Sequence, residues 1–175
     1  MDYADLESSK RFLGQEFLLW LWYRDDIDDG VHPLVDERVE LHFDDRLELL
    51  GQLAEAEVSA LRGGAPSQSP EAHKALQLGK RVGKARLRLA IGEREWVFGV
   101  DTETFRFAGI KTPTVLSRED DEPFLERMYL IEELDRTWTA LYGRFLTLRL
   151  SDDWEAERSA IAAWIRLPTG DEALP

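Results

Sequence analysis

Five cations crowd residues 79–89, "GKRVGKARLRL": Lys80, Arg81, Lys84, Arg86 and Arg88. Long basic side chains at alternate positions can hold a row of anionic oxygens, but they break no bond by themselves. The setting makes the cluster conspicuous, because the formal net charge of the chain is -13. Residues 74–111 carry nine Lys or Arg against four acids, a local +5, which leaves -18 for the remainder. Such segregation fits a site for an anionic partner. It fits equally a surface strand that neutralises acidic neighbours.

Other chemistry is poorly represented. The absence of cysteine excludes a disulfide framework, a thiol nucleophile and Cys-based zinc sites, and it favours a reducing compartment. His32, His42 and His73 have no triad or metal-ligand spacing. In "DDIDDG", residues 25–30, an EF-hand reading needs an oxygen ligand where Ile27 stands. "GKRVGK" lacks the spacing and the Ser/Thr of a phosphate-cradling loop, and it precedes a strand. "EREW", residues 93–96, lacks the Lys that a metal-dependent nuclease centre wants. No enzyme, cofactor or metal is expected.

The elements that must position the cations follow from periodicity. "SSKRFLGQEFLLWLWYRDD" predicts a buried helix capped at Ser8 or Ser9 and ending in a loop at 25–33. "RVELHFDDRLELLG" predicts a hairpin whose three-residue loop, Asp44 to Arg46, puts Val39, Leu41, Phe43, Leu47 and Leu49 on one face. Residues 54–62 are helix or strand by periodicity, and the flanking Gly51 and Gly63-Gly64 allow a third strand. Ser69 and Pro70 open a short helix that Gly79 stops.

The basic stretch then forms the first arm of a hairpin turning at Gly92-Glu93. That turn pairs Ile91 with Arg94, Leu89 with Trp96, Leu87 with Phe98 and Ala85 with Val100 on the inward face. The outward face reads Lys84, Arg86 and Arg88 against Asp101, Gly99 and Val97. The pleat spaces these cations about 7 Å apart with no acid directly across from Arg86 or Arg88.

"FRFAGIK" adds a short strand, and from Glu122 the chain is helical. One stripe runs through Phe124, Met128, Ile131, Trp138, Tyr142 and Phe145, and a last helix opens at Ser151 to Asp153. The fold class is therefore α+β, a mainly antiparallel sheet of five to six strands. A buried N-terminal helix and a long C-terminal helix pair pack on it. Residues 1–167 form one domain and 168–175 a loose tail. Trp20, Trp22, Trp96, Trp138 and Trp164 belong to the core rather than to a base-stacking surface. No apolar run reaches the ~20 residues that cross a bilayer, so a cytoplasmic chain without membrane contact is expected.

"GKRVGKARLRLAIGEREWVFGVDTETFRFAGIKTP", with the acidic loop and the helix "FLERMYLIEELDRTWTALYGRFL" after it, resembles the C-terminal half of the RdgC family of bacterial recombination-associated proteins. "FLGQEFLLWLW" resembles a further segment of longer members, so the resemblance spans roughly residues 10–150. It implies a dimeric protein that holds duplex DNA without sequence preference and restrains the RecA recombinase, with a nucleoid location. Lys80 matches the family's Gly-Lys position, Lys84 its following basic position and Arg62 a further one. Arg86 and Arg88 rest on the pleat alone, and Arg81 on its place in the cluster. The family's N-terminal half has no counterpart here, so a closed ring around DNA is not implied.

The expected function is phosphate-backbone DNA binding that modulates recombination through Lys80, Arg81, Lys84, Arg86, Arg88 and Arg62. Homodimerisation and competition with a RecA-type recombinase are expected with it. The alternative is an acidic protein-interaction or structural module that does not bind DNA.

Overall fold

A computed structural model describes residues 3–34, 37–51, 58–118 and 121–168. Helix α1, Tyr3–Asp28, leads into β1, Val31–Pro33, then β2, Arg38–Leu50, and β3, Val58–Arg62. A 3₁₀ turn at Pro66–Gln68 and helix α2, Pro70–Gln77, precede β4, Arg81–Ile91, β5, Arg94–Asp101, and β6, Phe107–Lys111. Helices α3, Glu122–Arg149, and α4, Trp154–Ile165, close the chain. All pairings are antiparallel in the order β1-β2-β4-β5-β6, and β3 pairs with the C-terminal half of β2. The α+β architecture expected from the sequence is the one observed.

Hydrophobic side chains from both layers meet in one core. Val39, Leu41, Phe43, Leu47 and Leu49 of β2, Leu87 and Leu89 of β4, and Trp96, Phe98 and Val100 of β5 form its sheet side. From α1, Phe17 packs on Trp138, Tyr142 and Phe145 of α3, while Trp22 and Tyr23 meet Trp164 of α4. The indole N–H groups find acceptors: Trp22 donates to the Ser67 carbonyl, Trp96 to that of Leu130 and Trp164 to Asp26. Paired in this way, the rings bury apolar area without stranding a donor.

The hairpin of β4 and β5 has the expected register, from Ile91 opposite Arg94 to Lys84 opposite Asp101. Gly92 enters its turn at φ +59, a conformation glycine adopts without steric cost. Ser69 caps α2 by accepting from the Ala72 N–H, and the helix stops before Gly79.

Four expectations need correction. Helix α1 begins at Tyr3, so Ser8 and Ser9 lie within it rather than at its cap. Of residues 25–33, expected as loop, 25–28 are the last turn of α1 and 31–33 pair with β2 as β1. The stretch 38–50 is one continuous strand rather than a hairpin, because Asp44 to Arg46 form a bulge within it. The apolar set faces inward as expected, since the bulge adds two residues and leaves the alternation in phase. Finally, Phe124 and Met128 of the α3 stripe, with neighbouring Leu125 and Tyr129, are exposed because the first turns of α3 lie outside the core. Of the third-strand segment, 58–62 is a strand and 54–57 lies outside the described residues, as does the tail beyond Pro168.

His32 sits on the core side of β1, 1% exposed, beside the Trp20 ring, and among the described residues its Nε2 has no hydrogen-bond partner. Burial, reinforced by Arg144 and Arg24, pushes its pKa from 6.5 down to about 4. The folded state therefore binds fewer protons than the unfolded one between these values, and stability falls as pH drops through that window. The loss attributable to His32 is about 2 kcal/mol by pH 5, and His32→Phe is expected to flatten that limb in urea titrations at pH 7 and 5. His42 acts in the opposite sense, because its hydrogen bond to Asp25 raises its pKa. Its contribution is complete below 6.5 and is lost as pH climbs through the raised value.

Candidate functional site

The helices pack on one face of the sheet, and the other face carries the charge. On that outer face lies an open groove of about 770 Å³ that crosses β3, β2, β4, β5 and β6. Arg46 and Arg62 form one side, Arg106 the other, and Lys84 and Arg86 stand between them beside Glu48 and Asp101. Small residues keep the space open: Ala60 and Gly99 line it, and Ala108 stands directly opposite Gly99. At about 4.8 Å per strand, the four spacings from β3 to β6 cover about 19 Å.

The row Lys84, Arg86, Arg88 does point outward, but the expectation that it stands unneutralised is wrong. Lys84 lies 3.4 Å from Glu48 and 3.9 Å from Asp101. Arg86 lies 3.3 Å from Asp44 and 3.6 Å from Asp45. Arg88 bonds Asp44 at 2.9 Å and approaches Glu95 at 3.6 Å, and the Asp44 hydrogen bond, with Glu95, raises its guanidinium pKa further. The register supplies the reason. Position for position, Arg86 faces Gly99 and Arg88 faces Val97 on β5, as expected. On the β2 side, however, Asp44, Asp45 and Arg46 all stand opposite Arg86 alone, because Phe43 pairs with Leu87 and Leu47 with Ala85. The bulge thereby brings two carboxylates over the basic strand.

The remaining expected residues separate. Arg62 lies in the groove with Lys84 and Arg86. Lys80 donates to Ser59 Oγ at 2.7 Å, Arg81 pairs with Leu50 at the strand end, and Arg88 sits toward the bulge; none of the three lines the groove. Arg46 and Arg106, outside the expected set, also line the groove. Both are exposed, and only the β2–β3 register and the turn before β6 bring them to the groove.

That register makes Arg46 and Arg62 a directly opposed cross-strand pair. Like charges placed so destabilise a sheet unless an anion lies between them. Arg46 has Asp45 at 4.0 Å, and among the described residues no carboxylate reaches Arg62 or Arg106. The groove therefore concentrates positive charge that its own carboxylates leave partly uncompensated.

The acidic run that ends α1 is committed to structure. Asp25 accepts from His42 Nδ1 at 2.8 Å and from the Phe43 N–H at 2.9 Å, Asp26 accepts from Trp164, and Asp28 pairs with Arg24. His73 packs on Trp22 and Trp164, with burial lowering its pKa. Among the described residues no group of three or more His, Cys, Asp or Glu could hold a metal ion, and no helix is long and apolar enough to cross a membrane. Compared with protein-family models, curated proteins and solved structures, the chain has no significant match in any of them.

Proposed function

We propose that this chain binds nucleic acid through its phosphates along the outer face of the sheet, with Arg46, Arg62 and Arg106 as the principal contacts. The observation that carries the reading is the opposed pair Arg46 and Arg62 at the side of an open groove. A phosphate between two guanidiniums turns their repulsion into charge-assisted hydrogen bonds. No tryptophan takes part, since all those on the strands and helices are buried, so contact is with phosphates rather than stacked bases. Occupancy of DNA in this manner is the physical basis on which a recombinase such as RecA would be restrained, as the resemblance implies. The net charge of -13 keeps such binding weak and easily reversed by salt.

Three phosphate contacts give a log-log salt slope of about -2.7 on duplex DNA and about -2.1 on single strands. Titration of labelled duplex and single-stranded oligonucleotides over a salt series distinguishes the two. Arg62→Ala with Arg106→Ala is expected to remove most of the slope and leave the circular dichroism spectrum unchanged. Undiminished binding by that folded variant rejects the assignment.

A second reading is favoured by a different observation. Phe124, Leu125, Met128 and Tyr129 in the first turns of α3, with Leu116 before it, are exposed large apolar side chains, of the kind that a protein contact covers. An acidic interaction module using these side chains would pass through a DNA column at low salt.

A further inference from the structure

The side chain of Arg86 is only 20% exposed. Among the described residues its buried Nε has no hydrogen-bond acceptor, and the buried Asp45 Oδ1, 3.6 Å away, has no donor. Asp44 is divided between Arg86 at 3.3 Å and Arg88 at 2.9 Å. The charges are thus paired while the hydrogen-bonding capacity of Arg86 Nε is unused. Buried donors without acceptors are rare enough to need an explanation. Here Arg86 lines the groove, while Asp44 and Asp45, which do not line it, are held over the guanidinium by the two surplus residues of β2.

We infer that the Asp44-Asp45 bulge is a built-in competitor for the anion that the groove takes. In the free protein the two carboxylates hold Arg86 and Arg88. A phosphate offers oxygens that can displace Asp45 and satisfy Arg86 Nε directly, so the ligand must outbid an internal anion at that position. Small monoanions replace a carboxylate with no gain. A polyanion already engaged by Arg46, Arg62 and Arg106 arrives with the local concentration needed to do so. The bulge sets both the selectivity for extended polyphosphates and the ceiling on affinity. This rests on the nucleic-acid reading given above, whose failure is separately visible.

The test uses the full chain, Asp44→Asn with Asp45→Asn, and a control carrying Glu132→Gln with Asp152→Asn, exposed positions away from the groove that change net charge equally. Binding of a labelled short duplex is followed by anisotropy over a salt series, with circular dichroism on each variant. The bulge variant is expected to bind about tenfold more tightly than the control, with the slope steepening from about -2.7 to about -4.5 as Arg86 and Arg88 join. If the double variant fails to fold, Asp45→Asn alone, at the more exposed carboxylate, is expected to bind about threefold more tightly than wild type. A folded bulge variant with the slope and affinity of the control overturns the inference while wild-type binding keeps the nucleic-acid reading intact. No binding by any variant overturns both.

Discussion

Arg94→Ala is expected to destabilise the fold by about 3 kcal/mol, because it leaves the Glu133 carboxylate buried without its partner. Glu133, on α3, is 3% exposed, and Arg94 is its ion-pair partner from the start of β5. The guanidinium also lies over the Trp96 ring, 5.6 Å from its centroid, and Trp96 in turn donates to the Leu130 carbonyl. Hairpin and helix are therefore joined by one small network in which the charge pair is the buried element. Glu133→Gln placed in the Arg94→Ala background removes the orphaned charge and is expected to recover about half of the loss. Chemical denaturation of the two variants against wild type measures both numbers. A loss below about 1 kcal/mol for Arg94→Ala would show that the carboxylate is effectively solvated and the network is not structural.

Two glycines in helices are expected to respond with opposite signs to the same substitution. A Cβ on Gly14 of α1 would fall 2.2 Å from the Thr102 carbonyl oxygen and 2.9 Å from the Phe105 ring. The obstruction is backbone, and Thr102 is itself held by two bonds to the Gly83 carbonyl, from its N–H and its hydroxyl. Neither side yields cheaply, so Gly14→Ala is expected to cost about 2–3 kcal/mol through overpacking. Gly143 of α3 has nothing within 4 Å of the same position. There alanine relieves only the backbone entropy of glycine and is expected to stabilise by about 0.5–1 kcal/mol. Thermal melts of the pair read the contrast directly. A destabilised Gly143→Ala, or a neutral Gly14→Ala, would contradict the packing of α1 against the turn after β5.

Much of this architecture is legible in the residues because short-range rules and burial agree. The β4–β5 register follows from one glycine turn and a strict alternation, and every pair from Ile91–Arg94 to Lys84–Asp101 is observed. The cap of α2 and the burial of the tryptophans are legible for the same reason. The strand 38–50 shows where such rules stop. A three-residue loop and a bulge with two surplus residues leave Leu47 and Leu49 on the same face, so alternation alone cannot separate them. What decides is the partner strand, since β4 runs unbroken past the bulge. The candidate site was half hidden for the same reason. Lys84, Arg86 and Arg62 are visible as cations, whereas the opposition of Arg46 to Arg62 and the placing of Asp44 and Asp45 over Arg86 come from cross-strand neighbours more than fifteen residues away. The exposed start of α3 was unreadable because an apolar stripe does not state how far its supporting sheet extends.

The kink in β2 imposes a rule on how this protein can vary in length. The insertion Asp44 to Arg46 places an even surplus of residues opposite Arg86, so the chain leaves the irregularity facing the way it entered. Removing a single residue there would turn Leu47 and Leu49 toward water and Glu48 into the core, whereas losing a pair would keep them in phase and strip the carboxylates from the basic row. The corner is open to change in composition and to change in steps of two. It is closed to a single codon gained or lost.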